Sequence, residues 1–481
     1  MSVSHDKLFI GGEWVSPSST ARITVRSAST EEPIGEAPEA AEADVDAAVT
    51  AARRAFDDPA GWSHWEPAQR ATALERLAVE LETRSQEIGR LVSMQNGMPI
   101  ALSPLIEGMT PVGTLRYIVS LLANSPVEEE AARFLGGHLI IRHEPAGVVG
   151  AIVPWNYPQT LASFKYAPAL AAGCTIVLKP SPETVLDSYV FAEAVLAADI
   201  PPGVVNIVPG GRELGAYLVQ HPDVDKIAFT GSTAAGRQIA EVCGRLLRPV
   251  SLELGGKSAA IILEDADLDL SRIGQDLFAA TLVNNGQTCY AGTRILAPRS
   301  RYNQVVDTFA AFASSLPVGD ALDPATLIGP LVSERQRDRV ERYIAKGTSD
   351  GARLVAGGGR PPGLDKGWFV QPTVFADVDN NSTIAQEEIF GPVLSVIQYT
   401  DVDHAIAIAN DSDYGLGGSV WTKDPARARA VVRRVRTGTM GINGYLPDPA
   451  GPWGGVKSSG IGRELGPGAV AAYQYLKTVY A

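Results

Sequence analysis

Apolar and polar positions recur along this chain in two rhythms, and the rhythm changes near residue 145. The first 35 residues or so read as short strands and turns, with Gly11-Gly12 placed to close a hairpin. Val45, Val49, Ala52 and Phe56 then recur at helical spacing behind Asp44 as a cap. Leu74, Leu77, Leu81, Ile88 and Leu91 mark one apolar face of a second helix. Beyond 145, β-rich runs at 148–153, 175–178, 204–208, 226–229 and 251–254 alternate with helical patterns such as 161–172 and 184–198. Strands separated by helices predict βαβ units and a parallel, doubly wound sheet, hence the α/β class. A second alternating block, 259–398, carries strand-like runs at 294–297 and 393–397. Two α/β lobes follow, with a site expected between them. Between Pro126 and Pro145, segment 134–141 reads as a β-hairpin turning at Gly136-Gly137. A lone hairpin is marginal in water, so a further pairing partner is expected.

At roughly 150 residues per domain, 481 residues suggest about three domains, with ample chain for a core that needs no staple. The net charge of −13 and the lack of any Lys/Arg-rich run argue against nucleic acid as a partner. Cys174, Cys243 and Cys289 lie far apart without a CxxC spacing, so neither a disulfide framework nor a metal site is expected, and a reducing cytoplasm suits them. The polar N-terminus is not a signal peptide, and no apolar run approaches the ~18 residues of a membrane span.

Chemistry concentrates in four segments. Cys289 stands among polar loop formers, with Gly286 and Gly292 on either side, whereas Cys174 and Cys243 lie in apolar runs typical of buried thiols. An unshifted thiol is only a few per cent thiolate at neutral pH, so a nucleophile at Cys289 needs activation. Glu253 sits between two leucines before Gly255-Gly256; burial would raise its pKa toward that of a general base, while pairing with a nearby lysine would leave it structural. Gly255-Gly-Lys-Ser258 is not a phosphate loop, because Ser251 stands where the first glycine belongs. Phe229-Thr-Gly-Ser-Thr-Ala-Ala-Gly236 closes a strand and opens a helix, where Gly231 and Gly236, with Ser232 and Thr233 as caps, offer backbone N–H groups to a pyrophosphate. Pro154-Trp-Asn-Tyr-Pro158 stiffens a strand exit, where Asn156 is able to donate to an oxyanion.

Taken in order, these segments resemble the aldehyde dehydrogenase superfamily. The likeness rests on Val153-Pro-Trp-Asn-Tyr-Pro158, Leu178-Lys-Pro-Ser-Pro-Glu-Thr184, Phe229-Thr-Gly-Ser232, Leu252-Glu-Leu-Gly-Gly-Lys257 and Gly286-Gln-Thr-Cys289. It continues through Gln386-Glu-Glu-Ile-Phe-Gly-Pro392, Tyr414-Gly-Leu-Gly-Gly418 and Pro452-Trp-Gly-Gly-Val-Lys-Ser-Ser-Gly460. The resemblance implies a Rossmann-like cofactor domain (1–126 and 145–256), an α/β catalytic domain bearing the thiol (257–455), and an oligomerisation element (127–144 and 456–481) that builds a homodimer or homotetramer. It makes Cys289 the nucleophile, Glu253 the general base, and Asn156 with the Cys289 backbone N–H the oxyanion donors. It also implies NAD or NADP, lined by Val153, Pro154, Trp155, Ser181, Gly210, Phe229, Leu254 and Gly255. Lys179 matches the partner of the adenosine ribose, Gly231 and Ser232 the phosphate turn, and Glu388 with Phe390 the grip on the nicotinamide ribose and ring.

A base at Glu253 favours release of a free carboxylic acid over transfer to coenzyme A. By position, Tyr157, Phe164, Thr288 and Tyr290 line the way to the thiol, an uncharged wall suited to apolar aliphatic or aromatic aldehydes. NAD-specific relatives carry a glutamate three residues after the ribose-binding lysine; here Pro182 stands there and Glu183 comes one residue late, which predicts tolerance of both NAD and NADP. A rival reading, a thiol hydrolase or acyl transferase, would use the same Cys289 without redox chemistry.

Overall fold

The computed structural model describes residues 3–123 and 125–480. Runs such as Val148–Ile152, apolar throughout, and Thr175–Lys179, apolar at its three central positions, become strands buried on both faces, as parallel sheets covered by helices require. The first sheet has eight strands, in the order Gly460–Ile461, Val250–Glu253, Lys226–Thr230, Val148–Ile152, Thr175–Lys179, Val205–Ile207, Leu8–Ile10, Glu13–Val15. Its five middle strands are parallel and both flanks are antiparallel. The expected hairpin at Gly11-Gly12 forms that outer flank, with both glycines at positive φ (66° and 80°), as a tight primed turn demands.

The second sheet runs Arg353–Ala356, Thr373–Ala376, Val393–Tyr399, Arg294–Pro298, Ala259–Ile262, Gly418–Trp421, Gly441–Ile442, parallel except for its first pair. The alternation therefore continues beyond 398 to Ile442, further than the periodicity had marked. Only the five residues from Leu254 to Ser258 separate the two sheets in the chain, so carboxyl ends of the first face amino ends of the second.

The helix expected behind Asp44 is Glu42–Asp57, but its N-cap is Ala41. Asp44 lies one turn in and accepts the Ala41 N–H at 2.8 Å and the Ser18 N–H at 2.9 Å, tying the helix to the preceding loop. The single helix read over 74–91 is two, Pro67–Thr83 and Ser85–Asn96, broken at Arg84. Leu81 and Ile88 are seven apart, two helical turns, so the break leaves no gap in the apolar stripe.

The glycine hairpin turns as expected, Gly136 and Gly137 both at positive φ, between strands Glu128–Ala132 and His138–Pro145. Its partner is the strand Gln474–Tyr480, which pairs along the whole of His138–Pro145 save its first residue. Residues 456–481 thus divide: Gly460–Ile461 joins the first sheet, and only the last strand joins the hairpin.

Candidate active site between the two sheets

From the middle strand Val148–Ile152 the chain winds outward through Thr175–Lys179 to Val205–Ile207, then crosses to Lys226–Thr230 on the other side. Strand order reverses there, and a ligand crevice opens beyond the carboxyl ends at such a point. Val153, Pro154, Trp155 and Asn156 leave one wall of it; Gly231 and Ser232 leave the other. Ser232 caps the helix Thr233–Leu246, its hydroxyl accepting the Ala235 N–H at 3.3 Å, and the helix presents its positive end to the crevice. Gly231 differs from expectation: its N–H donates to the Glu253 carbonyl at 3.0 Å, so it ties the two strand exits together and the helix's first turn is left to meet an anion.

Lys179 and Gly210 come together as expected, the Lys179 ammonium donating to the Gly210 carbonyl at 2.6 Å and the Pro180 carbonyl at 2.9 Å. Burial brings this lysine down to about 8. Ser181 does not point freely toward a ligand: its hydroxyl donates to Glu183 at 2.6 Å, and Glu183 also pairs with Arg335 at 3.2 Å. The carboxylate that Pro182 removes from the sequence position is thus supplied beside Ser181 by its neighbour. Phe229 and Leu254 pack into one buried cluster beneath the crevice, and the Gly255 carbonyl accepts the Ser459 hydroxyl at 2.7 Å. Across the crevice the Trp155 and Phe390 rings meet edge to face at 5.3 Å. Phe390 holds a positive φ of 63°, uncommon for a bulky residue, with its carbonyl anchored by the Gln336 amide at 2.7 Å. Glu388 accepts the Gly256 N–H at 2.8 Å, and burial pushes its carboxyl up to about 7.

The thiol arrives from the second sheet. After the helix Leu270–Thr281, residues Asn284, Asn285 and Gly286 all take positive φ (52°, 60° and 71°). Three left-handed residues in succession reverse the chain, and at Gly286 a Cβ would strike the Gly391 carbonyl. The reversal delivers Cys289 just before the strand Arg294–Pro298, half-buried rather than sealed like Cys174 and Cys243. Asn156 reaches the same loop from the opposite wall. One N–H of the Asn156 amide is held by the Gln287 carbonyl at 3.0 Å, which leaves the second available as a donor. Burial, then the charges of Glu388 and Glu253, raise the thiol above its ordinary range; the backbone N–H groups of Cys289 and Tyr290 pull the other way.

Glu253 ends the strand Val250–Glu253 with both carboxylate oxygens buried and, among the described residues, without a hydrogen-bond partner. Burial and then Glu464 hold its carboxyl well above the usual carboxylate range. The structural alternative, a lysine partner, goes elsewhere: Lys165 pairs with Glu464 at 2.7 Å and donates to Thr230 at 2.6 Å. Gly454 makes room for Glu253, since a Cβ there would lie 2.5 Å from its Oε1.

Tyr157, Phe164 and Tyr290 belong to one apolar cluster against which Cys289 packs, together with Leu161, Tyr445 and Trp453. The Tyr157 and Thr288 hydroxyls are 2.6 Å apart, and Tyr290 stands edge-on to Tyr445 (5.0 Å) and Trp453 (5.8 Å). Tyr445, Trp453, Lys165 and Glu464 escaped the sequence reading. They come from distant segments, and no spacing links them; Trp453 lay within a quoted motif without a role.

The aldehyde dehydrogenase family model matches residues 14–479. Geranial dehydrogenase of Castellaniella defragrans is 56% identical over 480 residues, covering 100% of this chain and 99% of that protein. The crystal structure of a Mycobacterium tuberculosis aldehyde dehydrogenase complexed with NAD+ superposes with a TM-score of 0.97 at 50% identity, covering 100% of this chain and 98% of that one. A mutant of aldehyde dehydrogenase C from Pseudomonas syringae, complexed with NAD+ and octanal, has a TM-score of 0.94 at 39% identity, covering 98% and 96%. A thiol, a carboxamide and an unpartnered carboxylate meeting at one crevice, with likeness over the whole length, lead to one conclusion: the chain belongs to the aldehyde dehydrogenase family and is an oxidoreductase of that family.

Proposed function

We propose that this protein oxidises apolar aldehydes to carboxylic acids with NAD, using Cys289 as nucleophile, Asn156 as oxyanion donor and Glu253 as general base. The observation that carries the reading is Glu253. A buried carboxylate with neither oxygen hydrogen-bonded, close enough to raise the Cys289 thiol, is costly unless it has work to do on a proton.

The crevice fits a dinucleotide. The open helix end at Ser232 suits a pyrophosphate, Lys179 and Glu183 suit an adenosine ribose, and Glu388 with the Trp155–Phe390 walls suits a nicotinamide riboside. When bound, NAD supplies the hydride acceptor. The chain's own groups do the rest. The Cys289 thiol gives up its proton to solvent and its sulfur adds to the aldehyde carbon, and the free Asn156 N–H with the Cys289 backbone N–H stabilises the oxygen that becomes negative. Loss of hydride from that carbon leaves a thioester on Cys289. Glu253 takes a proton from water, which attacks the thioester; the acid leaves and the thiol is restored. The Lys165–Glu464 pair acts on Glu253 through charge, Glu464 holding its proton and Lys165 easing its release.

The aromatic wall selects by burial. Tyr157, Phe164, Tyr290, Tyr445 and Trp453 bring no charge to the thiol, so an aldehyde with an apolar tail is favoured and one with a carboxylate tail is not. Geranial and octanal, named for two of the relatives, are aldehydes of that kind. Glu183 beside Ser181 favours NAD and opposes the NADP tolerance that Pro182 alone would predict. The arm of strands Glu128–Ala132, His138–Pro145 and Gln474–Tyr480, with exposed Leu476 and Tyr480, supports a homodimer or homotetramer. No helix among the described residues is long and apolar enough to cross a membrane, and three free thiols suit a cytoplasmic setting.

The test is a panel of aldehydes mixed with NAD or NADP, read by nicotinamide absorbance. Octanal and terpenoid aldehydes should turn over at least ~10-fold more efficiently than semialdehydes of similar length, since burying an unpaired charge costs more than 1.4 kcal/mol. Cys289→Ala should abolish turnover while NAD binding is retained. Ester cleavage indifferent to NAD, with no aldehyde oxidation, would establish the hydrolase instead.

A further inference from the structure

Two buried carboxamides from separate segments, Asn96 and Asn284, converge on the Asn156 carbonyl. The Asn156 carbonyl accepts the side-chain amide of Asn96 at 3.0 Å and that of Asn284 at 2.8 Å. Both of its lone pairs are thereby filled. Asn96 also reaches the Trp155 carbonyl at 3.1 Å, and its own oxygen accepts the Met98 N–H at 2.9 Å. The ring closes through the thiol loop: the Asn156 amide donates to the Gln287 carbonyl at 3.0 Å, and the Gln287 amide donates to the Asn96 carbonyl at 3.3 Å. Asn96, Asn284 and Gln287 are fully buried; Asn284 also hydrogen-bonds Tyr157 of the aromatic wall, whereas Asn96 meets neither that wall nor the thiol through these bonds.

The helix Ser85–Asn96 already has a local C-cap, Gly97 in the left-handed region with its N–H on the Ser93 carbonyl. Helix ends are usually closed by water or a local cap, whereas these amides reach 60 and 128 residues along the chain. What the ring does is fix the Asn156 backbone and the Cys289 loop in one frame. The oxyanion donor must lie within a few tenths of an ångström of its working position, and a looser frame costs rate rather than binding.

We infer that Asn96 is a positioning residue for the oxyanion donor, acting on the reaction only through Asn156. The inference rests on the oxyanion role given to Asn156 above. A double-mutant cycle on the full-length enzyme with NAD and octanal tests it, with NAD affinity and the KM for octanal measured alongside. Asn156→Ala should lower kcat by ~10²–10³. Asn96→Ala should lower kcat by ~10–10² with KM and NAD affinity little changed. The doubly substituted enzyme should be no slower than Asn156→Ala alone, because a donor already absent cannot be mispositioned. Asn96→Asp, which keeps the volume and the Met98 bond but loses the donor, should give the same cycle if Asn96→Ala folds poorly. Losses that multiply, or full turnover in both Asn96 variants, overturn the positioning role. Full turnover in Asn156→Ala overturns the oxyanion reading itself.

Discussion

Burial and neighbouring carboxylates hold both the Cys289 thiol and the Glu253 carboxyl toward their protonated forms. Glu253 must lose its proton to act as base, so thioester hydrolysis rises with pH as that group ionises. Glu253→Gln should still release up to one equivalent of reduced cofactor per site in a burst, then stall, and its slow steady state should lose the rising limb. Stopped-flow absorbance at several pH values separates the two phases, and equal loss of burst and steady state would place Glu253 in thiol activation instead. Glu183 carries the second prediction at this scale. In the proposed cofactor site Glu183 stands beside the adenosine ribose, where a carboxylate repels a 2′-phosphate, so Glu183→Gln should raise the ratio of kcat/KM for NADP over NAD by about tenfold, a like-charge contact at an effective dielectric near 20 being worth that much or more. An unchanged ratio would return the choice of cofactor to Pro182.

The helix Pro158–Ala172 shows how an element is held by a group far from it in sequence. Tyr157, at its N-cap, makes no side-chain cap bond. Glu107, in the turn Pro104–Met109, supplies the acceptor instead, taking the Gln159 N–H at 2.8 Å and the Thr160 N–H at 3.4 Å. Burial pushes Glu107 up to about 8 from an ordinary 4.5. The unfolded chain releases this proton first, so the contribution of Glu107 to stability is complete below about pH 4.5 and is lost as the pH rises toward 8. Glu107→Gln keeps an acceptor without the proton. Its Tm should therefore fall less than the parent's between pH 5 and pH 8, by an amount worth on the order of a few kcal/mol, readable by calorimetry. Parallel pH profiles would show that the helix does not depend on the carboxyl. No pattern in the sequence pointed to Glu107, because apolar periodicity marks which face a helix buries and is silent on what satisfies its first turn.

For the molecule as a whole, the three-stranded arm is the part least explained by its own packing. Strand Gln474–Tyr480 is exposed along nearly its full length, with Leu476, Tyr480 and, at the hairpin turn, Phe134 and Leu135 open to solvent. Among the described residues no further strand pairs with its outer edge or with that of Glu128–Ala132, and such edges invite pairing with another chain. Removing residues 474–481 should leave the two-sheet body folded but reduce the assembly to a smaller species in sedimentation velocity. A monomeric parent, or an unaltered assembly after truncation, would discount the arm as an interface.

Local order alone determined a good part of this protein. Strand and helix periods announced the α/β class, paired glycines marked both hairpins, and Cys289, Glu253 and Asn156 stood out because a polar loop around a thiol, a glutamate between leucines and an amide between prolines are poor solutions to packing. Tertiary structure decided what those residues experience. Whether Glu253 has a lysine partner depended on Lys165 choosing Glu464, 299 residues away. Whether Pro182 left the ribose without an acid depended on the direction of Glu183. The break at Arg84 and the extension of the second sheet to Ile442 were hidden for the same reason. Periodicity reports one element's burial, while hydrogen-bond partners, charge neighbours and strand order are set by segments that meet only once the chain has folded.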